Sequence, residues 1–256
     1  NRRPEGSLFN GRIERTSLES CVTPFLFILF LIFVPNQVFA NHTPHIFPKR
    51  ANYFLNRSIT EQTPRELSKW DLVILDMETQ VNSPAALRKM RELNPKIKLL
   101  AYITSEEIKR DAPISTSRLR QKLAARIDPR WYAVSSNGQR LSFWPGTDLL
   151  NMSADAPTID GKKMNKIMAE FVATELLSTG LWDGVFYDNA FDSITWFAGP
   201  DVDFNLDGIT DSAPDAAWKA GMKYLYDETR RITGSRYLVV GNGTTRAYRD
   251  NLNGQM

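Results

Sequence analysis

The sequence predicts an α/β fold built on a parallel sheet, and three observations carry that expectation. Short apolar runs alternate with amphipathic helical stretches through most of the 256 residues, the rhythm of βαβ units. Leu72-Val73-Ile74-Leu75 is apolar at consecutive positions, as a strand buried on both faces is. Pro64 and Pro84 stand where helices would begin, and Pro95 and Gly180 where they would end. Parallel connections are right-handed, which leaves an open doubly wound sheet or a barrel. No GxGxxG follows the first apolar run, which argues against a dinucleotide fold.

The elements follow in order. Residues 51–55 read as a strand, and Thr63-Pro64-Arg65-Glu66 as a capped helix start. Residues 72–76 form the second strand, and a helix runs from Ser83-Pro84 to Asn94-Pro95. Residues 97–103 form the third strand, followed by a helix through Leu119 and Leu123. Asn137-Gly138, between Val134 and Leu141, marks a tight hairpin. Residues 147–151 read as a fourth strand, and Met164 to Leu177 as a helix stopped by Gly180. Residues 184–188 form the fifth strand, 215–232 a helix and 237–242 the sixth strand.

Composition narrows the function classes. Thirty-two Lys and Arg against 29 Asp and Glu give a net charge of +3, too little for a dedicated nucleic-acid binder. The single Cys21 excludes an intrachain disulfide framework and a Cys-rich zinc site. His42 and His45 are the only histidines, so a Ser-His-Asp triad or a His-based zinc hydrolase is a poor reading. The apolar run Phe25–Val34 is about half the length of a membrane span. Arg12 and Arg15 precede it, and Val38-Phe39-Ala40 follows. Residues 1–40 are therefore expected to be a signal peptide, with an uncleaved anchor as the alternative. The mature domain, 41–256, would be secreted, periplasmic or cell-surface, with no membrane contact after cleavage.

Several strands end in polar or acidic residues: Asp76 with Glu78, then Glu106, Asn151, Asp188 with Asn189, and Asn242. In a parallel barrel such ends meet on one face, where catalytic groups sit. A carboxylate delivered by a buried strand costs desolvation unless it is paired or used; the alternative is that each caps the next turn. Trp70, Trp131, Tyr132, Phe143, Trp144, Trp182 and Trp196 are scattered near these loops. Aromatic rings can take the C–H faces of sugars, although most buried rings are core. The segment around Trp144 is the one most expected to touch substrate. Convergent carboxylates in an exported chain point to glycoside hydrolysis. There one carboxylic acid protonates the leaving oxygen, and a second carboxylate attacks the anomeric carbon or activates water.

The strings Ala51-Asn52-Tyr53-Phe54-Leu55, Trp70 to Glu78, Ser142-Phe143-Trp144-Pro145-Gly146-Thr147 and Trp182 to Asn189 together resemble hypothetical glycosyl hydrolase family 15, which is distinct from the glucoamylases. The similarity runs from about Pro48 to the end. The resemblance implies a (β/α)8 TIM barrel and carbohydrate hydrolysis. It implies that Asp188 matches the acidic strand-five residue that related barrels use catalytically. Asp76 and Glu78 match an acidic strand-two pair, with Glu106 as rival. The roles expected are Asp188 as nucleophile or base and Asp76 or Glu106 as general acid. Asn151 and Asn242 would hydrogen-bond sugar hydroxyls, with Trp144, Asn189 and Tyr102 as further substrate contacts. Six strands are countable, so the barrel is expected to be incomplete, ending after about six βα units. A non-catalytic carbohydrate-binding or cell-envelope protein on the same scaffold is the second reading, since fold alone does not set function.

One loop stands apart. Asp203, Asn205, Asp207 and Asp211 place oxygens at loop positions 1, 3, 5 and 9, with Gly208 at 6 and the Ile209 carbonyl at 7. That is the spacing of EF-hand and dockerin calcium loops. Position 12 is Pro214, which cannot ligate, and Asp215 is the substitute. A structural calcium ion is expected here and no cofactor for catalysis; the alternative is a solvated acidic loop with an Asp-Gly turn.

Overall fold

A computed structural model describes residues 49–56 and 59–255. The expected signal peptide, 1–40, together with His42 and His45, lies outside the described residues.

Six strands make one parallel sheet. They are β1 (Ala51–Phe54), β2 (Leu72–Asp76), β3 (Lys98–Thr104), β6 (Gly184–Asp188), β7 (Leu238–Gly241) and β8 (Gly254–Gln255), in the order β1-β2-β3-β6-β7-β8. Between β3 and β6, two short strands pair antiparallel with each other, β4 (Glu107–Lys109) and β5 (Thr147–Leu149). The helices are α1 (Thr63–Leu67), α2 (Thr79–Asn82), α3 (Pro84–Leu93), α4 (Arg118–Ala124), α5 (Met164–Phe171), α6 (Thr195–Ala198) and α7 (Pro214–Thr233). A π-helical stretch, Val172–Leu176, and a 3-10 turn extend α5 to Gly180, whose φ of 71° ends the run.

Two expectations change. Thr147–Leu149 is not the fourth strand of the parallel sheet, because β3 bonds directly to β6, with Thr104 beside Asp188. The strand Gly184–Asp188 is thus fourth in the sheet rather than fifth, and the sixth place is taken by β8. The fold is mixed α/β with a parallel sheet, compatible with the expected barrel. Among the described residues the six strands do not close into a ring, since β1 and β8 each bond one neighbour.

Alternation along the strands divides the core in two. Val73, Leu75, Leu99, Ala101, Val185, Tyr187 and Val239 belong to the large cluster shared with Leu87 and Met90 of α3, Met168 of α5 and Met222 and Leu225 of α7. Each such aliphatic side chain, fully buried, contributes about 1.5–3 kcal/mol. Ile74, Leu100, Phe186 and Val240 form a second, smaller cluster on the opposite face, with Tyr102 packed against it. Counting two residues on from these brings Asp76, Tyr102, Asp188 and Asn242 to the carboxyl end of that same face.

Helix α7 lies against the chain after β5 with no room between them. A Cβ at Gly221 would fall 1.8 Å from the Met152 carbonyl oxygen. Gly221→Ala is therefore expected to destabilise by about 1–3 kcal/mol. A lower melting temperature in thermal unfolding followed by circular dichroism checks it.

Candidate active site

Asp188 closes β6, and its carboxylate is held from four directions. Oδ2 accepts hydrogen bonds from the hydroxyls of Tyr102 at 2.8 Å and Tyr53 at 3.4 Å. Oδ1 accepts from Asn242 Nδ2 at 2.9 Å and from the Asn189 N–H at 3.0 Å. Four strands of the sheet or their ends thus converge on one carboxylate, from β1, β3, β6 and β7. Burial, and then the negative Asp188 beside it, pushes the Tyr53 phenol up to about 12 and raises Tyr102 further. Both rings keep their protons and act as fixed donors.

The chain turns sharply after Asp188. Asn189 sits at φ 59°, a left-handed conformation that Asn tolerates better than most residues. Ser105 fixes that turn. Its N–H donates to the Asp188 carbonyl at 3.0 Å, and its hydroxyl reaches the same carbonyl at 2.7 Å. Across the turn the Ala190 N–H donates to the Asn242 carbonyl. Gly243 (φ 142°) follows, where a Cβ would fall 2.8 Å from the Ala190 carbonyl carbon.

Glu107, on β4, is a carboxyl that the sequence argument passed over. It is buried, and burial raises its pKa above the ordinary value against the opposing hydrogen bond from Thr147; the Asp188 charge also raises it. The Thr147 hydroxyl is shared between Glu107 Oε2 at 2.9 Å and the Trp144 carbonyl at 2.7 Å, and donates to both. The Thr104 hydroxyl donates to the Glu107 carbonyl at 2.9 Å, and Thr104 is the β3 neighbour of Asp188. Glu107 is therefore tied to the β3–β6 junction.

The three acids favoured as partners are taken up by other contacts. Asp76 and Glu78 both face Arg120 of α4. Asp76 takes the guanidinium through two bonds, at 2.7 and 3.2 Å, and Glu78 Oε1 accepts the Arg120 backbone N–H at 2.9 Å. Burial opposes the Arg120 charge, but the hydrogen bonds and charge of Asp76 leave its pKa raised. These two acids anchor the start of α4. Glu106 is completely buried, 0% exposed. Burial raises its pKa well above the ordinary value against the Ser105 hydrogen bond. Its Oε2 lies 2.9 Å from the Ser105 hydroxyl, which already has the Asp188 carbonyl as acceptor. The Ser105 hydroxyl is the donor in both contacts. Among the described residues Glu106 Oε1 has no hydrogen-bond partner, nor has the buried Tyr226 hydroxyl.

Among the expected sugar contacts, Tyr102 and Asn242 reach Asp188 directly, and Asn189 follows it in the chain. Trp144 is 55% exposed, and its carbonyl joins it to Glu107 through Thr147. Asn151 is fully buried. Its Nδ2 donates to the Phe204 carbonyl and its Oδ1 accepts from Ser153, so its amide holds two loops together. Tyr53 was missed because a ring in a short edge strand carries no chemical signature until its neighbours are known. Glu107 was visible only as the last of the Thr104-Ser105-Glu106-Glu107 run.

The acidic loop is wound by its own backbone. Asp203 accepts the N–H groups of Leu206, Asp207 and Gly208, and Asp211 accepts that of Phe204. Asn205 accepts the Asp207 N–H and Asp207 that of Ile209, while Ile209 itself is exposed. Asp215, the substitute twelfth-position ligand, is committed elsewhere. It accepts the N–H groups of Ile194 and Thr195 and the Thr195 hydroxyl. Among the described residues, no three His, Cys, Asp or Glu side chains group to hold a metal ion.

The raised pKa of Glu106 has a stability consequence. The folded state keeps a proton that the unfolded chain releases near the ordinary value of 4.5. The stability it contributes is full below that pH and is lost as pH rises through the folded pKa. Melting temperatures from mildly acid to mildly alkaline pH should therefore fall less in Glu106→Gln than in the parent.

No curated protein matches the chain. The chitinase domain of the spore coat protein CotE from Clostridium difficile is 13% identical, with a TM-score of 0.38. That match covers 83% of this chain and 50% of the other. A GH31 family sulfoquinovosidase from E. rectale, solved with the aza-sugar inhibitor IFGSQ, is 12% identical, with a TM-score of 0.47. Here 80% of this chain and 30% of the other are covered. The chain thus spans half the length of the first structure and less than a third of the second. The family model described as hypothetical glycosyl hydrolase family 15 matches residues 91–256, which hold β3 to β8 with Glu107, Asp188 and Asn242. On the extent of that match, the chain belongs to hypothetical glycosyl hydrolase family 15.

Proposed function

We propose that the protein is a glycoside hydrolase that cleaves O-glycosidic bonds of a polysaccharide or oligosaccharide, on a (β/α)8-type scaffold and after export through the segment before Asn41. The family supplies the reaction class. One observation carries the reading. Two carboxyls in different states of burial and hydrogen bonding stand near one end of the parallel sheet: Asp188 accepts four donors, and Glu107 is buried, which raises its pKa.

The roles follow from those states. Glu107 gives its proton to the glycosidic oxygen as the C–O bond breaks. Asp188, oriented by Tyr102, Tyr53 and Asn242, attacks the anomeric carbon or takes a proton from the attacking water. A carboxyl separation of about 5–5.5 Å selects the first route and about 6.5–9.5 Å the second. Asp76 and Glu78 serve Arg120 instead, and Glu106 acts from beneath by holding Ser105 and the turn at Asn189.

Glu107→Gln is expected to slow hydrolysis of a natural glycoside by about a hundred- to ten-thousandfold. The loss should be much smaller on an aryl glycoside whose phenol leaves without protonation. The alkaline limb of the kcat/KM pH profile should vanish in the same variant, since a raised carboxyl pKa sets it. Asp188→Asn should fall to background on both substrates; undiminished turnover would take Asp188 out of the site. A protein that binds polysaccharides but cleaves none of a broad panel would favour the carbohydrate-binding reading.

The loop Asp203–Asp211 is proposed as a structural calcium site on its oxygen spacing alone, with no part in the reaction. Calcium would have to draw carboxylates off the loop's own N–H groups. Calorimetric titration should give heat and a higher melting temperature; neither would leave the loop as a self-capped turn.

A further inference from the structure

Beside the two carboxyls lies an aromatic ledge that core packing does not explain. Trp144 and Trp196 are 55% and 57% exposed, whereas Trp131, Trp182 and Trp218 are buried with their indole N–H groups on Pro157, Gln80 and Phe191. The two exposed indoles come from different loops, one before β5 and one on α6 after β6. Phe143 and Phe191 join them. The Phe143 ring is 5.0 Å from Trp144 and 5.9 Å from Trp196, and Phe191 is 4.9 Å from Trp196 and 5.6 Å from Phe143. The contacts are edge-to-face, which fixes ring orientation while leaving indole surface uncovered.

The ledge is held in place rather than merely exposed. Asp215 clamps the start of α6 through the Ile194 and Thr195 N–H groups and the Thr195 hydroxyl, and so sets Trp196. Trp144 is set by its carbonyl, which accepts from both Ser142 and Thr147 hydroxyls. Free-energy cost is being met to keep two large apolar surfaces facing water at set positions.

The ledge is also continuous with the candidate site. Thr147 links the Trp144 carbonyl to the Glu107 carboxyl, and Phe191 stands three residues after Asp188. Its charge is suited to an uncharged ligand. Arg110, whose N–H donates to the Gly146 carbonyl in the Trp144 loop, spends its guanidinium on the buried Asp148. Lys219 faces Asp192, next to Phe191, at 3.9 Å. The neighbouring Asp188 carboxylate would repel a polyanion.

We propose that Trp144 and Trp196, braced by Phe143 and Phe191, form a subsite that stacks successive pyranose rings of a neutral polysaccharide beside Asp188 and Glu107. The inference rests on the glycosidase reading for its purpose, but the binding can be measured without catalysis. The protein acts within a chain several sugars long, not on a terminal mono- or disaccharide.

The test uses the full chain in affinity gels cast with neutral glucans, mannans or galactans and, separately, with polyanionic polysaccharides. Retardation by one neutral polymer is expected. It should weaken by about tenfold in Trp144→Ala and in Trp196→Ala, and more in the double variant. Trp→Phe variants should recover part of it, and unchanged melting temperatures would show that the fold is intact. In Asp188→Asn and Glu107→Gln the retardation should persist. Unaltered retardation in the double alanine variant, or binding confined to polyanions, would overturn the ledge. Retardation lost in the tryptophan variants of a protein that cleaves no polymer would uphold the ledge and defeat the glycosidase reading alone.

Discussion

The two-residue alternation of side chains along the parallel strands governs everything else in this molecule. On β2 it sends Val73 and Leu75 to the helices and Ile74 and Asp76 to the other face. On β6 it sends Val185 and Tyr187 one way and Phe186 and Asp188 the other. Because the strands are parallel, the last residues of this second set arrive at one edge together. A slip of one residue in any strand would bury its polar end against a helix and strip its apolar set from the core. The hydrophobic demand of the helix side therefore pins the register that brings Tyr102 and Asn242 to Asp188.

Given that arrangement, the buried carboxyls differ by what surrounds each of them. Asp76 and Glu78 are compensated by one guanidinium and by the start of α4. Glu106 is fully buried beside the Ser105 hydroxyl, and burial holds its pKa well above the ordinary value. Asp188 instead accepts hydrogen bonds from four donors. Glu107 is intermediate, buried but close to the exposed Trp144 loop. Five acids of nearly identical intrinsic chemistry thus meet distinct surroundings within a few strands of one another, and acid–base catalysis needs that divergence.

The excursion between β3 and β6 supplies what the sheet cannot. Its small antiparallel pair brings Glu107 beside Thr147, and the loop before β5 carries Phe143 and Trp144 to the rings that follow Asp188. Asp215, at the start of α7, fixes the other half of that surface by capping α6. The acidic loop between these helices keeps its oxygens on its own N–H groups. Asp215 matched a calcium spacing by position and serves the aromatic ledge by contact.

Local sequence was enough for the elements whose signal is periodic or punctuated. The apolar runs 72–76, 97–103 and 184–188, the helix opened by Pro84, the helix expected over 215–232 and the stop at Gly180 all correspond to observed elements. So does the position of Asp188, Tyr102 and Asn242 at strand ends. Hydrophobic periodicity and turn residues act within a few positions, so they are written in the chain itself. Tertiary structure alone decided which strand neighbours which, and with it which acids are free. Thr147–Leu149 has the composition of a sheet strand but bonds to the three-residue β4, a pairing 40 positions apart for Thr147 and Glu107. Asn151 and Asp76 look like site residues until Phe204 and Arg120 are seen to occupy them, at separations of 53 and 44 residues. A polar side chain at a strand end has the same sequence signature whether it is satisfied by the protein or left for a substrate. Only the three-dimensional location of its partner distinguishes the two.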